Sequence, residues 1–117
     1  HIAEHLQAQL KEALNVSCEL IPLPWNQFWD KTVQGQFHME LLHWIAPVDD
    51  PLYTLNGFRF ATNETNFSKW ENPALQRLLE KADEELNPFQ RSSYLLEAEK
   101  VLAREAPTIP LFFQSSC

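Results

Sequence analysis

Asp49 and Asp50 are the only adjacent aspartates in the 117 residues, and they follow a mostly apolar run that ends at Ala46. A general acid–base pair needs two carboxyls held facing one site, and sequence neighbours rarely meet that geometry. The pair therefore reads either as loop or helix-cap acids or as part of a binding loop. His1 and His5 stand four apart, which is metal-ligand spacing on a helix. Neither a third ligand nor the Glu of a zincin motif lies near them, so exposed helix-terminal imidazoles are the plainer reading. His38 and His43 share no carboxylate at readable spacing. Ser17, Cys18 and Ser115-Ser116 lack a GxSxG elbow, so no activated nucleophile is legible. The two cysteines, Cys18 and Cys117, form neither a CxxC nor a disulfide framework. With only 2 glycines, Gly35 and Gly57, neither a P-loop nor a dinucleotide fingerprint exists, and no cofactor is expected.

The elements that must carry these residues follow from composition and period. Hydrophobic residues make up 44% and charged residues 21%, an ordinary globular balance. A net charge of −7 with scattered Lys and Arg excludes the basic stripe that nucleic acid requires. No apolar run is long enough to span a bilayer. The length suits one domain over 1–117. The chain begins at His1 rather than Met, and the expectation is an excised piece of a longer protein. Compartment cannot be read from its ends.

Residues 2–14 show helical spacing in Ile2, Leu6, Leu10, Ala13 and Leu14, with Asn15 as a left-handed terminator. Val16–Leu23 reads as a short strand closed by Pro22 and Pro24. Trp25–Val33 reads as a helix whose face of Trp25, Phe28 and Trp29 would pack on a sheet. His38–Ile45 reads as a strand buried on both faces. Strand, helix and strand make a βαβ unit, with parallel strands and a right-handed crossover. A loop over Pro47–Asn72 follows, with a short helix around Leu52–Leu55. Asn72-Pro73 and Asn87-Pro88 each place an N-cap before a proline at the first helical position. The two helices they open form an αα-hairpin, burying Leu75, Leu78, Leu79, Ala82 and Leu86 from one and Tyr94, Leu95, Ala98, Val101 and Leu102 from the other. Pro107 stops the second, and Thr108–Gln114 reads as a last strand. The fold class is α/β, a βαβ unit plus a helical hairpin. Ligands of open α/β sheets bind beyond the carboxyl ends of parallel strands, which points to the loop holding Asp49 and Asp50. Trp44, at the end of the central strand, is either core or a ligand platform.

Six motifs in order resemble one family. Leu10 to Val16 resembles "LK..GI.V", Pro24 to Phe28 resembles "EW..F", and Gln34 to Met39 resembles "..G.FD". His43-Trp44-Ile45-Ala46-Pro47-Val48-Asp49-Asp50-Pro51 resembles "GW.ADY.DP". The helix pair, with Asn72-Pro73, Arg91, Glu97-Ala98-Glu99 and Leu102, resembles "NP..D.L...A......R...Y..AE..L". Ala106 to Phe112 resembles "AP.IPLF". The family is that of the extracytoplasmic oligopeptide- and dipeptide-binding proteins of ABC importers, and the resemblance covers nearly all of the chain.

The resemblance implies part of the C-terminal lobe of a two-lobed, type II periplasmic-binding-protein-like fold. It implies capture of a peptide or other small solute against a missing N-terminal lobe, then delivery to a membrane permease, with no catalysis. The site residues it suggests are Trp44, Ala46, Pro47, Asp49 and Asp50. The location it implies is periplasmic or lipid-anchored extracytoplasmic. Pro47 stands where peptide-binding relatives commonly carry an Asp that pairs with the peptide's α-amino group, so that ion pair cannot form from this position. Asp49 or Asp50 is the substitute at hand. His38 likewise replaces the Asp of "FD", and His43 the Gly before Trp44. The alternative is the ligand-sensing domain of a cytoplasmic transcription regulator, which residues upstream of His1 would decide. A hydrolase or metal enzyme built on Asp49, Asp50 and the histidines is a further rival.

Overall fold

Five helices account for the regular structure in the computed structural model, which describes residues 1–113. They are α1 (Ile2–Leu14), α2 (Trp25–Val33), α3 (Pro51–Asn56), α4 (Pro73–Glu84) and α5 (Pro88–Glu105). The chain divides into two compact units, His1–Trp44 and one beginning at Ile45.

In the first unit, α1 ends as its sequence dictates. Asn15 adopts φ 55°, and its N–H and that of Val16 reach back to the carbonyls of Lys11 and Leu10. Gln7 Nε2 donates to the Cys18 carbonyl at 2.7 Å, and Lys11 Nζ donates to Asn15 Oδ1 and Ser17 Oγ. The segment after α1 is thus held against it by side chains. Thr32 on α2 is buried, its hydroxyl 2.6 Å from Glu40 Oε2 and 3.0 Å from the Phe28 carbonyl. Trp25 stacks on Phe28 and on Trp29, each at 5.7 Å between centroids. Trp25 is nevertheless 68% exposed, so these rings pack on one another and not on a sheet.

The second unit holds the core. Leu75, Leu79 and Ala82 of α4 meet Leu95, Ala98 and Val101 of α5, and Leu55 of α3 closes the cluster. The hairpin and its two caps match the sequence reading. The Asn72 side chain accepts from Ala74 and Leu75 N–H, and that of Asn87 from Phe89 and Gln90 N–H. Leu78, Tyr94 and Leu102 are only partly buried against this core. Leu86 is 96% exposed, contrary to expectation, because α4 stops at Glu84 and turns it off the packed face. The loop before α4 is organised by Asn66, fully buried. Its Nδ2 donates to the carbonyls of Phe60 and Trp70, and its Oδ1 accepts from Ser68 Oγ. Trp70 packs on the core from this loop.

The strands are the correction. Val16–Leu23, His38–Ile45 and residues 108–113 carry no strand, and among the described residues there is no sheet; Gln114, the end of the expected last strand, lies outside them. The expected βαβ unit and its crossover are therefore not formed. A helix satisfies its own backbone, whereas a strand needs a neighbouring strand to receive its N–H and C=O groups. The pattern that marked 38–45 as buried remains, yet Met39 is 63% and Ile45 75% exposed. These are side chains of strand type without the layer that would cover them.

Candidate functional site

The loop ahead of α3 carries four of the five residues singled out for binding, and its geometry is set by Asp50. Pro51 supplies the first helical position and Asp50 the N-cap, with φ −138°. Asp50 Oδ1 accepts from the Leu52 N–H at 3.0 Å. Its other oxygen, Oδ2, receives Arg91 Nη2 of α5 at 2.8 Å, an ion pair between residues 41 apart in sequence. Both partners are half-buried, so the pair is screened only in part. The Arg91 hydrogen bond, then the Leu52 N–H, hold the Asp50 carboxyl below its ordinary pKa against a small opposing effect of burial.

Ala46, Pro47, Val48 and Asp49 are all exposed. None of them makes a hydrogen bond to another described residue. Asp49 therefore presents an unengaged carboxylate to solvent, while Asp50, its neighbour, has both oxygens committed inside the fold. Trp44 belongs to the first unit and is roughly half exposed. The topological reason for choosing this loop, the end of a parallel strand, does not hold among the described residues, because no strand precedes it.

Beside Pro51, a depression of about 340 Å³ runs along α5, lined by Arg91, Ser92, Leu95, Leu96 and Glu99. It borders the ion pair. A second depression, about 380 Å³, lies against Gln7, Ala8, Lys11, Ser17 and Cys18. Cys18 is a half-buried free thiol there. His1, His5, His38 and His43 are exposed, and among the described residues no three His, Cys, Asp or Glu gather as metal ligands. Ser115, Ser116 and Cys117 lie outside the described residues.

Arg91 is the site residue that reading for chemistry did not single out. It stood only as one letter of a helix motif, and nothing in a 41-residue separation announces its partner. The Asp50-Pro51 dipeptide was the legible half, as an N-cap signature.

The oligopeptide-binding protein OppA of Bacillus subtilis is 30% identical over 112 residues, 96% of this chain and 21% of the relative. The dipeptide-binding protein DppE of the same organism is 31% identical over 112 residues, 96% of this chain and 20% of the relative. MppA, the periplasmic murein peptide-binding protein of Escherichia coli, is 27% identical over 111 residues and is also similar in structure. The unliganded open form superposes with a TM-score of 0.85 and 27% identity, over 91% of this chain and 20% of that one. Along nearly all of its length the chain is similar to oligopeptide- and dipeptide-binding proteins.

No family model matches the chain. It spans about a fifth of the length of these solute-binding relatives. The fold likeness holds although the described residues form no sheet: the helices and their connections resemble those of a part of a periplasmic-binding-protein fold. These homologues are binding proteins.

Proposed function

We propose that this chain is a portion of the C-terminal lobe of an extracytoplasmic solute-binding receptor that captures peptides for an ABC importer. The single observation that carries the reading is similarity to peptide-binding proteins along 96% of the chain. The receptor works by population shift: ligand held between two lobes favours a closed form that the permease engages. Capture and release of this kind call for no bond-making step. Main-chain hydrogen bonds would hold the peptide backbone, leaving side-chain pockets tolerant of sequence.

The loop residues Ala46, Pro47 and Asp49 form one wall in this reading, and Trp44 is a separate candidate contact. Pro47 has no carboxylate for a peptide amino group, and Asp50 is engaged by Leu52 and Arg91. Asp49 is thus the acid left to take a cationic terminus.

The test is mass spectrometry of the small molecules that co-purify with the full-length receptor. Short peptides of mixed sequence are expected. A single non-peptide species, or no bound solute, would overturn the peptide reading.

A further inference from the structure

The segment from Ala46 to Asp49 has no hydrogen bond of its own to the described residues, yet it must keep one shape if it is to serve as a wall. Its only polar attachment on the α3 side is Asp50. That residue is fixed twice, by the Leu52 N–H at 3.0 Å and by Arg91 Nη2 at 2.8 Å. The first contact is local and turns with α3. The second reaches α5, whose Leu95, Ala98 and Val101 lie in the core. The guanidinium thus refers the end of the loop to the helix that carries half of the buried hairpin core. Without it, Asp50 still caps α3, but among the described residues no other polar contact ties the cap to the hairpin.

We propose that Arg91 is a positioning residue: through the Asp50 carboxylate it fixes the 46–49 loop in the conformation that receives ligand. This rests on the peptide-receptor reading for its consequence, though not for its geometry. Arg91 touches no ligand in this scheme. An unfixed loop must be ordered when ligand binds, and that cost weakens affinity.

The experiment uses the full-length receptor, with tri-alanine as the probe in calorimetry and the Val48 methyl order parameter read by NMR without ligand. Arg91→Met should raise Kd about tenfold and increase Val48 mobility. Arg91→Lys, which restores a point charge without the planar fork, should recover part of both. Asp50→Asn keeps an N-cap oxygen, should match Arg91→Met, and should add nothing to it in the double variant. Val101→Ala, a core change on the same helix, controls for plain loss of stability and should leave Kd and Val48 unchanged. Wild-type affinity and Val48 order in Arg91→Met would overturn the proposal, as would equal losses in Val101→Ala. If the wild-type receptor fails to bind tri-alanine, the peptide reading suffers, while the ligand-free Val48 measurement still decides the role of Arg91.

Discussion

The Asp50 carboxylate is ionised in the fold at a lower pH than in an unfolded chain, chiefly because Arg91 hydrogen-bonds the charged form. The sign of its effect follows. A depressed folded-state pKa contributes stability that is present above the unfolded pKa and is lost as pH falls through the folded one. Urea unfolding at neutral pH should therefore separate wild type from Arg91→Met, and the gap should close as pH drops below the ordinary aspartate range. A gap that persists in acid would mean Arg91 acts through packing. Asp49 makes the opposite case: exposed and unengaged, it adds nothing to stability. Asp49→Asn should leave the unfolding midpoint in place. It should weaken binding of free-amine peptides to the full-length receptor about tenfold, the scale of a hydrogen bond to a charged group, and spare N-acetylated ones. Equal losses for both peptide classes would remove Asp49 from amino-group recognition.

The elements divide by whether their backbone is self-sufficient. Every helix expected from periodicity and caps is present, since Asn72-Pro73, Asn87-Pro88 and Asn15 act within a few residues of themselves. The three strands are not, because strand-type composition at 16–23 or 38–45 says nothing about where a pairing edge lies. The same limit applies to the site: the Asp50 cap was readable from the neighbouring Pro51, and the Arg91 contact was not. Energetically the hairpin dominates. Leu79 is fully buried between α4 and α5, so Leu79→Ala should cost about 2–5 kcal/mol, the large-to-small core range. Asn87→Ala removes two N–H partners at the start of α5 and should cost about 1 kcal/mol. Chemical denaturation of each variant measures both. A larger loss from Asn87→Ala than from Leu79→Ala would mean the caps, not the packed face, hold the hairpin.

At the scale of the molecule, the distribution of apolar surface is the telling quantity. Buried hydrophobic side chains among the described residues all lie between Leu55 and Val101. Ile21, Met39, Ile45, Ile109 and Phe112 sit in the segments of strand type and are exposed. Hydrophobic residues scattered singly over a surface need no explanation, but runs of them at strand spacing do. The chain spans about a fifth of its relatives' length, and the proposed function supplies an explanation, in which the rest of a longer receptor would cover them. Two measurements on the same substitutions separate this from a bare apolar surface. In the 117-residue chain alone, Ile21→Ser and Ile45→Ser should reduce self-association in sedimentation and leave the unfolding midpoint unchanged, since neither side chain is buried there. In the full-length receptor each should destabilise by roughly 1.5–3 kcal/mol, the worth of a buried aliphatic side chain. If the full-length receptor tolerates both, these faces stay open after the receptor is complete. The periodicity of 16–23 and 38–45 would then reflect an interaction surface instead of missing sheet neighbours.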